Sequence, residues 1–241
     1  MQKKYLAKLV GIISLTVACT WCGASLKAEA ATVTPAQEVA KYTEQIQKNP
    51  NLASLYADRG IAFILEGNFS AAIADFNTAV SLEANYPEAY YNRGLAYAGL
   101  GNYQATVEDI TKAIHLKPGN YKCYTNRGFA YVHMNKYEPA IADFDTAITI
   151  DPTQEDAYAR RGIAYASLGK EDKAIADYTT ALKINPQNPV TYYNRGNSLA
   201  NLGKYQEAIA DFQAALKLNP QYAAANTHLK ALQNILTQKG K

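Results

Sequence analysis

Residues 87–120 read PEAYYNRGLAYAGLGNYQATVEDITKAIHLKPGN, and the fold can be worked out from this stretch. Tyr90, Leu95, Tyr97 and Ala98 recur at the spacing of a helix face. The cluster Gly99, Gly101 and Asn102 then interrupts the pattern. Val107, Ile110, Ala113, Ile114 and Leu116 resume it, and Pro118 stops it, because the ring favours an extended residue before it. The stretch therefore predicts two antiparallel helices joined by a short turn. No sustained alternation of apolar and polar residues points to a strand.

The same pattern returns along the chain. Arg-Gly stands at 59–60, 93–94, 127–128, 161–162 and 195–196, always 34 residues apart. Tyr at 56, 90, 124, 158 and 192 keeps this step, as do Asp at 75, 109, 143, 177 and 211 and Ala at 79, 113, 147, 181 and 215. Pro joins at 118, 152, 186 and 220. A fixed period of this length marks a repeat array. A glycine inside a helix costs about 1 kcal/mol against alanine. Close approach of the paired helices is the expected compensation at Gly60, Gly94, Gly128, Gly162 and Gly196, helped by Ala72, Ala140, Ala174 and Ala208. Phe63, Tyr97, Tyr131 and Tyr165 on first helices and Phe76, Phe144, Tyr178 and Phe212 on second helices supply the large side chains.

These residues resemble the tetratricopeptide repeat. Its 34-residue pattern carries an aromatic at position 4, Gly at 8, Tyr at 11, Ala at 20, an aromatic at 24, Ala at 27 and Pro at 32. Units at 53–86, 87–120, 121–154, 155–188 and 189–222 fit it in phase. Departures are Ala84 for the Pro, Thr106 for the Ala at position 20, Ile110 for the aromatic, Leu199 for the Tyr and Asn135 for a turn glycine. The resemblance implies an all-α fold, an α-solenoid of stacked antiparallel helix pairs in a right-handed superhelix. A leading segment, 31–52, and a closing helix and tail, 223–241, flank the units, and their polar faces suit caps, giving about twelve helices.

Position 7, commonly Leu in that family, is Arg in every unit, and Asp stands at position 23 in every unit. Arg–Asp pairs are expected, such as Arg127 with Asp109 or Asp143. An anion-binding ladder of arginines is the alternative.

The first thirty residues read as an address. Lys3, Lys4 and Lys8 precede an apolar run from Leu9 to Gly23, and Ala28-Glu29-Ala30 supplies small residues for a signal peptidase. Cleavage after Ala30 would place the protein in the periplasm or outside the cell. A retained membrane anchor and lipidation at Cys19 are the alternatives. The whole chain of 241 residues carries a formal net charge of +3. Residues 1–30 hold four Lys and one Glu, so the remainder balances at 20 basic and 20 acidic residues. The basic excess thus belongs to the address and gives no warrant for nucleic-acid binding.

Catalytic signatures are missing from the sequence. His115, His133 and His228 form no metal-ligand spacing, Gly99 and Gly101 do not open a phosphate loop, and no nucleophile elbow occurs. No cofactor, metal or catalytic residue is expected, and the partner is another protein rather than a nucleic acid. The resemblance implies that first helices line a groove for a peptide or helix of that partner. On this chain the groove positions hold Tyr91, Asn92, Leu95, Lys122, Asn126, Phe129, His133, Arg160, Tyr193, Asn194 and Asn197. Amides both donate to and accept from a peptide backbone, and rings give rigid contact area. Some family members grip a terminal carboxylate with a Lys, Asn, Asn, Lys, Arg clamp. Asn126 and Arg160 match two of its places, whereas Tyr91, Leu95 and Asp156 replace the others. The rival readings are a membrane-anchored structural spacer and a small-ligand binder or enzyme using the groove.

Overall fold

The computed structural model describes residues 33–239. The described chain is helical, with no strand among these residues. It falls into two compact units that meet in sequence at Pro118 and Gly119.

The first unit holds α1 (Pro35–Lys48), α2 (Ala53–Leu65), α3 (Phe69–Leu82), α4 (Pro87–Gly99) and α5 (Tyr103–Leu116). The second holds α6 (Tyr121–His133), α7 (Tyr137–Ile150), α8 (Glu155–Ser167), α9 (Glu171–Ile184), α10 (Pro189–Asn201), α11 (Tyr205–Leu218) and α12 (Ala223–Lys239). Within each unit, first and second helices pair, and each second helix also packs on the next first helix. The expected address, 1–30, lies outside the described residues.

Local chemistry sets the boundaries. Within most pairs the turn needs one residue with positive φ, supplied by Gly67, Gly101, Gly169 and Gly203. Asn135 takes the same conformation at φ 56, so an amide residue serves where the repeat pattern has glycine. Asn68 and Asn102 cap α3 and α5 by accepting from the N–H of Ala71 and Ala105. Gly99, read from sequence as part of the turn, instead ends α4. A β-carbon there would lie 2.6 Å from the Phe69 ring, so this glycine makes room for an aromatic of the preceding pair.

The Arg-Gly glycines do a related job. A β-carbon on Gly128 would stand 2.8 Å from the Phe144 ring, and on Gly162 2.7 Å from the Tyr178 ring. Gly60 and Gly196 face Phe76 and Phe212 in the same way. Each glycine is thus a socket for the second helix's aromatic, which is almost fully buried. In the second repeat, Ile110 fills the socket of Gly94, and the Thr106 hydroxyl donates to the carbonyls of Gly94 and Asn102 at 3.1 and 3.0 Å. The two departures from the repeat pattern therefore sit side by side.

Arg–Asp pairing is present in all five repeats, always to the Asp sixteen residues later. Arg59 holds Asp75 and Arg93 holds Asp109 in the first unit. Arg127 holds Asp143, Arg161 holds Asp177 and Arg195 holds Asp211 in the second. Of the two partners open to Arg127, it takes Asp143. Each pair is a fork, with Nε and Nη2 donating to the two carboxylate oxygens. The aspartate keeps each guanidinium more firmly protonated, against the opposing effect of burial. A further nitrogen, Nη1, reaches back to the preceding second helix: Arg59 to Thr43, Arg93 to Asn77, Arg161 to Asp145 and Arg195 to Thr179. One side chain thus ties three helices, which fixes geometry more than it adds stability.

Helix α1 has the length of a second helix, and its Thr43 accepts from Arg59 as Asn77 does from Arg93. Glu38, Lys41 and Gln45 stand where the other second helices carry Ala (Thr in α5), Asp and Ala. The repeat pattern gives way to polar residues at this end, the composition of a cap.

Candidate functional site

Each unit has its own set of the residues assigned to the groove. In the first unit these are Tyr91, Asn92 and Leu95 on α4. Tyr91 and Asn92 are each 9% exposed and Leu95 4%, so they act as packing residues rather than an open surface.

The second unit offers more. Lys122, Asn126 and Phe129 on α6 are half-buried, as are Arg160 on α8 and Tyr193, Asn194 and Asn197 on α10, while His133 is exposed. Two clusters form. In one, the Phe129 and His133 rings meet edge to face at 4.3 Å, and the Arg160 guanidinium lies over Phe129 at 4.5 Å. Asp156, one turn before Arg160, accepts from its Nε with both oxygens at 2.7 Å. Although the residue as a whole is exposed, partial loss of solvent where its ring meets Phe129, and then the charge of Arg160, hold the His133 pKa below its ordinary value.

In the other cluster, Tyr193 stacks obliquely on Tyr222 at 5.0 Å and on His228 at 5.5 Å. His228 Nδ1 lies 2.7 Å from Asn197 Oδ1. His228 is absent from the residues picked by sequence, because α12 reads as a cap. A signal for it exists all the same, since 228 lies one period beyond Asn194.

The asparagines differ in their use. Asn126 donates to the Lys122 carbonyl of its own helix at 2.9 Å. Asn197 binds the neighbouring helix through His228, and the Asn194 side chain makes no hydrogen bond among the described residues. Lys122 places its ammonium 5.9 Å from the Tyr121 ring.

No group of three or more His, Cys, Asp or Glu that could hold a metal occurs among the described residues. No described helix is long and apolar enough to cross a membrane.

Paired helices with glycine sockets and a fixed period define a helical-repeat protein of the all-α class. Comparison with known proteins makes this particular. A family model described as tetratricopeptide repeat matches residues 87–120, 121–154 and 189–222, and one described as TPR repeat matches 62–101 and 164–203. The chain belongs to the tetratricopeptide-repeat family.

Among solved structures, YrrB, described as a TPR protein with an unusual peptide-binding site, is 20% identical with a TM-score of 0.66, covering 80% of this chain and 99% of that one. MamA is 26% identical with a TM-score of 0.63, covering 68% of this chain and 96% of that one. A protein SGT1 homologue of Oryza sativa subsp. japonica is 46% identical over 59 residues. That match spans 24% of this chain and only 16% of the rice protein.

Proposed function

We propose that this protein is a non-catalytic scaffold for protein–protein interaction outside the cytoplasm, which holds a peptide or helix of a partner on the first helices of its second unit. The tetratricopeptide fold supports the scaffold role. The observation that carries the choice of surface is the row of half-buried aromatic, amide and cationic side chains, Phe129, Arg160, Tyr193 and Asn194, on successive first helices. Such side chains combine rigid contact area with hydrogen bonds to a main chain. YrrB, of the same fold, is described as having a peptide-binding site. The extracytoplasmic setting, and a role in assembling an envelope complex, rest on the basic start, the apolar run and Ala28-Glu29-Ala30.

Capture from an extracytoplasmic fraction tests the reading. The intact protein recovers a defined partner, and Phe129→Ala with Asn194→Ala loses it while melting as before. Equal recovery by both proteins rejects this surface. N-terminal sequencing of the mature protein reads from Ala31; an intact Met1 favours the membrane-anchored spacer instead.

A further inference from the structure

Arg160 differs from every other arginine of the described chain. The five arginines of the Arg-Gly steps are spent on buried aspartates, whereas Arg160 precedes one of them and pairs with Asp156 of its own helix, a carboxylate open to solvent. Its Nε is committed to Asp156, and its face is laid on the Phe129 ring. Neither Nη has a hydrogen-bond partner among the described residues. A guanidinium carries five N–H groups, so four remain here. The side chain is 20% exposed, enough to be reached from solvent.

Two contacts thus orient the guanidinium before any ligand arrives. Its Nη edge matches a carboxylate, which accepts two parallel bonds. Asp156 sets a limit on charge. It is 56% exposed and stands beside the same guanidinium, where it offsets much of the positive field and repels a second acid. Glu155, next to Asp156, is a second acid within electrostatic reach of Arg160, and the apolar surface against the guanidinium is the Phe129 ring. Charge complementarity therefore favours one carboxylate set among apolar residues over an acidic run.

We infer that the second unit recognises an internal segment of a partner protein that carries a single acidic side chain between apolar ones, with its carboxylate on the Nη edge of Arg160 and Asp156 as the positioning residue. This rests on the proposed interaction surface and names the chemistry of its ligand. It differs from a clamp for an acidic chain terminus, since Asp156 stands where that clamp has a lysine.

The test is selection from a random dodecapeptide display library in which every peptide is tethered at its C-terminus, so that only side-chain carboxylates are offered. The full chain, Arg160→Gln and Asp156→Asn are panned in parallel, with melting to verify the fold. The full chain enriches peptides with one acid flanked by apolar residues. Resynthesised peptides from that pool bind Arg160→Gln about tenfold more weakly, the loss expected for a charge-assisted contact. The Asp156→Asn pool shifts to two or more acids. Enrichment of peptides without an acid overturns the inference and leaves the interaction surface standing. No enrichment by any protein overturns both. A second library with free C-termini separates the sources: acids enriched only at the terminus reject an internal side chain. If Arg160→Gln does not fold, the Asp156→Asn pool decides, and an unchanged acid count rejects the inference.

Discussion

Arg161 grips Asp177 through two bonds, Nε at 2.8 Å and Nη2 at 2.6 Å, while its Nη1 turns to Asp145 of the preceding helix pair. Asp177 is 6% exposed, so the fork supplies the counter-charge and donors that its burial removes from water. Arg161→Gln leaves a buried carboxylate without its cation and should cost about 3–5 kcal/mol. The joint change Arg161→Met with Asp177→Leu should recover most of this, because neither charge is then stranded. Lys117→Ala, at the exposed pair with Glu88, should change stability by about 1 kcal/mol or less. Urea unfolding of these variants beside the parent chain checks the order; equal losses for the buried and exposed pairs would refute it.

The socket at Gly128 gives a second expectation. Gly128→Leu drives a side chain into the space of the Phe144 ring and should cost about 1–3 kcal/mol, more than the helix-propensity gain returns. Phe144→Ala alone should cost about 3–5 kcal/mol. Together they should cost less than the sum of the two, since the leucine partly fills the vacated space. Additive losses in a double-mutant cycle would mean that the two residues do not share this contact.

Most of the helical framework was legible because one period repeats its own evidence five times. The Arg-Gly step, the second-helix aromatic and the fixed Asp each point to the same pairing of helices. Three matters were not legible, for a common reason: they depend on which way a side chain turns between neighbours. Asp109 and Asp143 stand at similar distances along the chain from Arg127, and only packing selects Asp143. Tyr91, Asn92 and Leu95 occupy the same repeat positions as residues that stay half-open in the second unit, yet they are buried. Gly99 resembles a turn glycine until the Phe69 ring is found against it.

His133 makes stability depend on pH. Its pKa lies below the ordinary value of 6.5, first through partial loss of solvent beside the Phe129 ring and then through Arg160. The unfolded chain therefore binds this proton more readily than the folded one. The contribution to stability is fully present above 6.5 and is lost as pH falls through the depressed folded value. Arg160→Gln should move the His133 pKa back toward its ordinary value, as read from the imidazole proton shifts. His133→Asn should flatten the fall in melting temperature below pH 6.5. A His133 that titrates at or above its ordinary value would contradict this account.

Glu171 and Asn201 show what happens when one repeat changes both sides of a contact. They stand three periods beyond Phe69 and Gly99, where an aromatic ring fills the space left by a glycine. In their place the Asn201 Nδ2 donates to Glu171 Oε1 at 2.6 Å, and the second carboxylate oxygen is buried with no partner. A buried polar atom of this sort costs about 1–3 kcal/mol. Glu171→Phe with Asn201→Gly restores the earlier pair and should raise the melting temperature. Glycine is tolerated there because Asn201 is the last residue of α10, where little helix is left to weaken. Asn201→Gly alone should lower the melting temperature, because both carboxylate oxygens then lack a donor. A double variant no more stable than that single one would show that the ring and the socket do not form a transferable unit.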